Sequence, residues 1–481
     1  MPGQSIRIQS CDIHLTNLLT RMPFKYGIAT MTRVPHAFVR VRADVEGKAA
    51  AGISADLLPP KWFTKNPDKP VYEEIFEMIK VIRHAATAAI GLSGETAFAV
   101  WRSLYQQQDD WGRKENLPPL LTHFGTSLVE RALIEAVCRA AGKPFHEMAR
   151  SNRLGLRLGE IHAPLREKNP GDFLPPKPLD RITLRHTVGL VDPLLDEHIE
   201  PANRLQDGLP QSFAACVRTY GLRHFKIKVS GHLDHDLDRL EQLARILQRE
   251  AHPEYKFSLD GNEQFKSLAD FRVFWETLER TESLKEFLRH RLFVEQPLHR
   301  DVALRAEVAE GFAQWPNRPL TIIDESDGTL GSLPAALALG YAGITHKNCK
   351  GVFKGIANRC LLTHLEREKP RTKWIMSGED LATIGPVSVI QDLAAMAALG
   401  IQSVERNGHH YFPGLSMFSK EIQEQVLAAH TGLYERGGLG WPKLTVKEGL
   451  LDVTSLHKQP FGAGFTVDVE KFTPADRFTP D

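Results

Sequence analysis

Short apolar runs alternate with amphipathic stretches through the second half of the chain. Eight runs have the length and the β-branched or aromatic content of buried strands: RITLRHTVGL, HFKIKVSG, KFSLDGNEQF, RLFVEQPL, LTIIDES, AGITHKNC, KWIMSGED and IQSVERN. Between several of them lie stretches of helical periodicity, such as DLDRLEQLARILQRE and LADFRVFWETLERT. One strand–helix unit recurs every 25 to 35 residues or so, roughly the spacing of a parallel (β/α) barrel. A doubly wound sheet is the structural alternative.

The first 150 residues read differently. HAFVRVRADVEGKAAAGISAD alternates as a hairpin turning at Glu46-Gly47. SLVERALIEAVCRAAGKPFHEMA sets Leu128, Ala132, Ile134, Val137 and Ala141 in a helical pattern, with Gly142 as its stop. Strands first and helices after predict an α+β domain over 1–150. The Pro-rich, charged HAPLREKNPGDFLPPKPLD predicts a linker or long loop over 151–180. The barrel is expected over 181–415, and a C-terminal helix with a return segment over 416–481. The tail piece FGAGFTVDVEKF reads as one more strand, packing back on the first domain.

Composition narrows the function classes. Of 481 residues 42% are hydrophobic and 25% charged, enough for a sizeable core in a soluble protein. Lys plus Arg (60) nearly balances Asp plus Glu (59), which argues against nucleic acid or a membrane surface as a general partner. Five cysteines without a C-x-x-C pair suggest neither a disulfide framework nor a zinc site, and fit a reducing cytoplasm. MPGQSIRIQS lacks the apolar run of a signal peptide, and the most apolar window, LPAALALGYAGI, is too short to span a bilayer.

The chemistry lies at the strand ends. Lys226 and Lys228 sit two apart on the second strand, so they project to one face. Asp260 and Asn262 end the third strand, Glu295 the fourth, Asp324 and Glu325 the fifth, and Lys347 the sixth. Each alone reads as a turn or helix cap. In a parallel barrel, however, all eight strands end on one face, so these residues converge. Three carboxylates without His or Cys suit a hard cation, Mg²⁺ first and Mn²⁺ as a substitute. Such an ion stabilises charge on a carboxylate substrate, and a lysine whose pKa is depressed by its neighbour can act on the adjacent carbon.

KIK, LDGN, VEQP, IDES and HKNCK, in this order, resemble the strand-end motifs of the enolase superfamily in its muconate-lactonising branch. MPFKYGIATMTRVPHAFVRVRADVEG resembles that family's capping-domain opening and SLVERALIEAVCRAAGKPFHEM its last capping helix, so the likeness covers nearly the whole chain. It implies a modified TIM (β/α)7β barrel with an N-terminal α+β capping domain completed by the C-terminal segment. It also implies Asp260, Glu295 and Asp324 as Mg²⁺ ligands, and Lys228 as a base on one face of the substrate. Lys226 would tune that base and touch the substrate carboxylate; Lys347, in preference to Lys350, would serve the opposite face. Asn262, Glu325 and Glu405 are implied as near-site groups, and a homo-oligomer is expected.

The resemblance is not complete. The seventh strand ends SGEDLATIGP without the histidine that a mandelate-racemase type of base requires, and GVFKG stands where a paired glycine is usual. His409 and His410, unusual after the eighth strand, read as a surface turn or a substrate contact. Capping loops RMPFKYGIATMT and GISADLLPPKWFTKNPDKP would choose the substrate, with Lys25, Tyr26, Trp62 and Phe63 giving a mixed aromatic and basic pocket. Two opposed lysines imply a racemase or epimerase acting on a small carboxylate. Acid-sugar dehydration and cycloisomerisation share the same first step, and a catalytically silent barrel used for binding is the competing class. A metal-dependent hydrolase on a similar barrel would need His ligands, and a nicotinamide enzyme a G-x-G-x-x-G turn; neither stands in the right place at these strand ends.

Overall fold

Glu46 and Gly47 both take positive φ, 57° and 80°, the backbone of a tight two-residue hairpin turn. The computed structural model describes residues 5–480. It pairs the flanking strands from Val45↔Lys48 to His36↔Leu57, as the alternation of apolar positions requires. A long strand β1 (Ile6–Tyr26) forms a second hairpin with β2 (Ala29–Val45), and β3 (Lys48–Leu57) completes the antiparallel core of the sheet. Helices α1 (Val71–Ala89), α2 (Ala97–Lys114) and α3 (Pro119–Ala141) follow. Gly142 ends α3 in the left-handed conformation, the expected stop.

Eight parallel strands then close on themselves. They are β4 (Arg181–Val188), β5 (His224–Lys228), β6 (Lys256–Asp260), β7 (Arg291–Glu295), β8 (Thr321–Ile323), β9 (Gly343–His346), β10 (Ile375–Gly378) and β11 (Ser403–Arg406). β11 pairs back on β4, from Ser403↔Thr183 to Arg406↔His186, which makes a barrel and removes the doubly wound alternative. The connections carry α4 (Phe213–Tyr220), α5 (Leu233–Glu250), α6 (Leu268–Arg280), α7 (Ala306–Ala313), α8 (Ser332–Leu339), α9 (Val352–Glu368) and α10 (Ser388–Leu399). Every strand foreseen from the apolar runs is present.

The tail departs from its reading. FGAGFTVDVEKF forms no strand; its glycines and Val469–Lys471 make loops and a 3-10 turn. The segment does return to the first sheet, because Phe472 stacks on Phe38 at 4.4 Å and Thr473–Pro474 pair with β1. A short strand, Leu450–Asp452, runs antiparallel against β4.

α3 is buried along nearly its whole length because it lies between sheet and barrel. At Gly52 of β3 any Cβ would stand 2.0 Å from the Ala132 carbonyl oxygen, so only glycine lets the helix approach this closely. Arg131 binds Asp56 at 2.8 Å on the sheet side. On the barrel side Glu130 Oε1 accepts the Phe353 backbone N–H at 2.6 Å, just beyond the turn that carries Lys347. Burial pushes the Glu130 carboxyl up to about 7, against the stabilising N–H groups of Phe353 and Val352.

A carboxyl raised in the folded state favours folding while protonated and opposes it once ionised. Its contribution is therefore present below the unfolded value and lost as pH rises towards 7. Glu130→Gln should remove that loss: between about pH 4.5 and 7 its stability relative to the parent rises by up to about 3 kcal/mol. Denaturant midpoints measured across this range check it, and a constant difference between the two proteins would be the contrary result.

Candidate active site

The barrel register sets the charged groups level. Lys228 on β5 is the lateral partner of Asp260 on β6, and Asp260 that of Glu295 on β7. Asp324, Lys347 and Glu379 each come directly after their strands, and Glu405 lies within β11. All of these side chains are buried. The turns after the strands are sharp: Asn262 and Glu263 after β6, and Gln296 after β7, take positive φ of 40°, 66° and 32°. Gln296 Oε1 accepts the backbone N–H groups of Asp324 and Ser326 at 2.8 and 3.1 Å and so fixes the loop that carries Asp324.

Lys226 lies deepest. Its ammonium contacts Asp260 at 3.0 Å, Glu295 at 3.1 Å and Glu405 at 3.2 Å, and binds Glu379 as well. Burial works to lower its pKa, but the carboxylates of Asp260, Glu295, Glu379 and Glu405 outweigh it and hold it well above the usual lysine value. Lys347 meets Asp324 and Glu379, each at 2.9 Å, and these raise it in the same way against burial. The structure thus surrounds both lysines with anions, where the sequence pattern suggested that paired ammonium groups would depress one another. Against burial, Lys226 and Lys228 hold the Asp260 carboxyl down at about 2. Burial first, and Glu379 next, push Glu405 up to about 7.

Lys228 and Lys347 line one cavity beneath the first sheet, about 430 Å³ including the part open to solvent. β5 and β9 are the second and sixth of eight strands, four steps apart, so these lysines face each other across the barrel. Lys226 does not line the cavity. Neither does Lys350, which turns away to bind Asp324 and the Thr345 carbonyl. Asn262 and Glu405 line it, and Glu325 accepts a hydrogen bond from Asn262 at 3.0 Å behind it.

The carboxylate geometry adds a residue. Oxygens of Glu295, Asp324 and Glu379 lie within 4.8 Å of one another and suit a shared cation; Asp260 is not in that group. The Oε2 atoms of Glu295 and Glu379 are buried and meet only the ammonium groups of Lys226 and Lys347, and the donors are all oxygen, a set that fits Mg²⁺. SGED carries no histidine, and Glu379 takes the strand-end position there. The rule that picked out the other strand ends points to it equally well.

The cavity roof is apolar and aromatic: Phe24, Tyr26, Met31, Pro59 and Trp62. RMPFKYGIATMT is a strand pair here, from Phe24↔Met31 to Tyr26↔Ala29, and strand alternation turns Phe24 and Tyr26 to the cavity and Lys25 away. Phe63 packs on Phe124 at 4.4 Å. Trp62 covers Lys347, whose nitrogen lies 4.4 Å from the ring centre. The roof loop is tied down by Arg300, which donates to the Phe63 and Trp62 carbonyls at 2.8 and 2.9 Å while Glu263 binds it from the barrel side. Lys65 reaches the same Glu263 at 3.1 Å. His409 and His410 form no surface turn. They stand in a short helix, Gly408–Tyr411, with His410 buried against β4 and α4 and outside this cavity.

Arg300→Ala should free the loop around Lys61 and Lys65. Limited trypsinolysis then cuts there at least about tenfold faster than in the parent, since local opening no longer breaks buried charge-assisted bonds. An unchanged cleavage pattern would show that the loop is held by other contacts.

No protein-family model and no curated protein matches the chain. Solved structures do. A putative sugar isomerase of the enolase type from Streptomyces coelicolor aligns with TM-score 0.59 at 17% identity, over 97% of this chain and 96% of that one. Muconate lactonizing enzyme from Pseudomonas fluorescens, complexed with muconolactone, aligns with TM-score 0.58 at 16% identity, over 97% and 98%. A dipeptide epimerase from Enterococcus faecalis, complexed with Mg and L-Leu-L-Tyr, aligns with TM-score 0.55 at 14% identity, over 95% and 99%. The chain therefore has the fold of the mandelate racemase/muconate lactonizing proteins of the enolase superfamily: a modified (β/α) barrel under an N-terminal antiparallel sheet.

Proposed function

We propose that this chain is an enzyme that removes the proton next to the carboxylate of a small substrate, and that it returns the proton from the other side as a racemase or epimerase. The observation that carries this reading is that Lys228 and Lys347 line one roofed cavity from opposite sides, with Glu379 of the carboxylate cluster in its wall. Glu295 and Asp324, with Glu379 or Asp260 as third ligand, would hold Mg²⁺, or Mn²⁺ in its place. What a divalent cation supplies there is positive charge, which favours an enolate and lowers the pKa of nearby ammonium groups.

The chain's own groups do the rest. Lys228, held by Asp260, takes the proton on one face, and Lys347, backed by Trp62, delivers it on the other. Lys226, kept charged by four carboxylates, fixes their positions. Phe24, Tyr26, Met31 and Pro59 exclude water from the reacting carbon. Elimination or cycloisomerisation would share the first step and need only one of the two lysines. A silent barrel is disfavoured because no ligand or base of the set is missing.

The test is α-proton exchange in D₂O with Mg²⁺, followed by NMR over a panel of dipeptides, acylated amino acids, hydroxy acids and sugar acids. At least one of the panel should exchange. Lys228→Ala and Lys347→Ala should each slow exchange of a different stereoisomer by about 10²- to 10⁴-fold. If neither variant loses exchange, the two-base assignment fails. Glu295→Gln should weaken Mg²⁺ binding measured by calorimetry, and unchanged binding would remove the ion from this cluster.

A further inference from the structure

A second cluster of ligating side chains lies behind the barrel wall. His186, Cys216 and His410 bring one ligating atom each to within 4.8 Å of one another, and all three are buried. Their origins explain the convergence. On β4, Arg185 and Thr187 reach into the barrel towards Glu379 and Glu405, so His186 between them faces outward. Cys216 lies in α4, the helix that follows β4. His410 lies in the short helix directly after β11, the strand that closes the barrel on β4.

The distances are those of shared ligands. Cys216 Sγ stands 3.5 Å from His410 Nδ1. Bond lengths to tetrahedral zinc of about 2.0 Å for nitrogen and 2.3 Å for sulfur put such a pair about 3.5 Å apart. His186 Nδ1 meets His409 Nε2 at 3.1 Å, which fixes the His186 ring as an outer partner fixes a metal-bound histidine. The Nδ1 atom of His409 is itself buried and lacks a hydrogen-bond partner. Two imidazoles and a thiol reject Mg²⁺ and favour a borderline-soft ion.

We propose that His186, Cys216 and His410 form a zinc site that clamps the seam of the barrel. Binding forms a zinc–thiolate bond and two zinc–imidazole bonds, and releases the Cys216 thiol proton to solvent. The three ligands leave zinc's fourth position to a water molecule. The clamp would join β4, α4 and the end of β11, next in sequence to Thr187 and Glu405 of the cavity side. It is independent of the Mg²⁺ cluster, whose donors are all oxygen.

Cobalt(II) titration of the chelator-treated full chain tests it. A thiolate-to-cobalt charge-transfer absorption should saturate at one equivalent and disappear when zinc is added. The carboxylate cluster cannot produce that band, so excess Mg²⁺ leaves it in place. Cys216→Ser and His410→Gln should each abolish the band, and His409→Asn should weaken cobalt binding about tenfold through the His186 ring. Zinc should also raise the melting temperature of the parent and not that of Cys216→Ser. No charge-transfer band in the parent, whatever the variants do, would reduce the cluster to a hydrogen-bonded packing contact. A band that survives in a folded Cys216→Ser would move the site to another cysteine and overturn the assignment equally.

Discussion

The Lys226 ammonium, held by four carboxylates at the centre of the barrel, is the constraint on which the site depends. A charge of either sign costs several kcal/mol to bury alone, and removing one partner of a buried pair costs about 3–5 kcal/mol because the other is left uncompensated. Each ion at this mouth is therefore tolerable only because the others are present. Asp260 needs Lys226 and Lys228, and Glu379 needs Lys226 and Lys347. The array is a single unit, and its parts come from seven of the eight strand ends. That is also why two lysines can lie two apart on a buried strand: five acids, Asp260, Glu295, Asp324, Glu379 and Glu405, stand close to Lys226, Lys228, Lys347 and Lys350.

Rigid support reaches this array from outside the barrel. α3 is shared by the sheet and the barrel, bound by Asp56 on one side and by the backbone of Phe353 on the other. The roof loop is held by Arg300 and Lys65, both on Glu263, which belongs to the same sharp turn as Asn262. Movement of the roof is thus tied to the turn that follows Asp260. A cavity assembled from two sheets can keep its shape only through such links, since neither sheet alone encloses it.

Strand ends were legible because a buried parallel strand is short, apolar throughout and stopped by polar residues, and in a barrel all such stops share one face. Lys228, Asp260, Glu295, Asp324 and Lys347 follow from that rule, whereas Glu405 comes only with the family resemblance. What it could not supply is depth and partnership. Lys226 and Lys228 share a strand face, yet only the second lines the cavity, because two residues along a strand amount to about 7 Å of depth. Glu379, directly after its strand, fits the same rule. The hairpin tip at Phe24–Met31 read as a loop because Gly27 interrupts its alternation, and that alternation is what aims Phe24 and Tyr26 inward. Nothing local marks His410 as buried; its surroundings are made by β4 and α4, about two hundred positions away in the chain.

The charge on the cavity wall bears on the reaction as well as on the fold. Its cations are Lys228 and Lys347, and they stand on opposite sides. The remaining polar lining is made of acids and amides: Glu379, Asp380, Glu405, Asn262 and Asn407. Asp380 is already paired with Arg406, and Glu405 is held up near 7. For the proposed reaction, a first carboxylate of a substrate would meet Lys228, Lys347 and the divalent cation that the acids would hold. A second would meet Glu405 and Glu379 with no further cation among the described lining residues, at a cost set by desolvation. For the proposed reaction, this wall would favour a monocarboxylate whose other end is apolar, hydroxylated or cationic. Such a substrate would suit the proposed proton transfer between Lys228 and Lys347 better than ring closure by a second carboxylate.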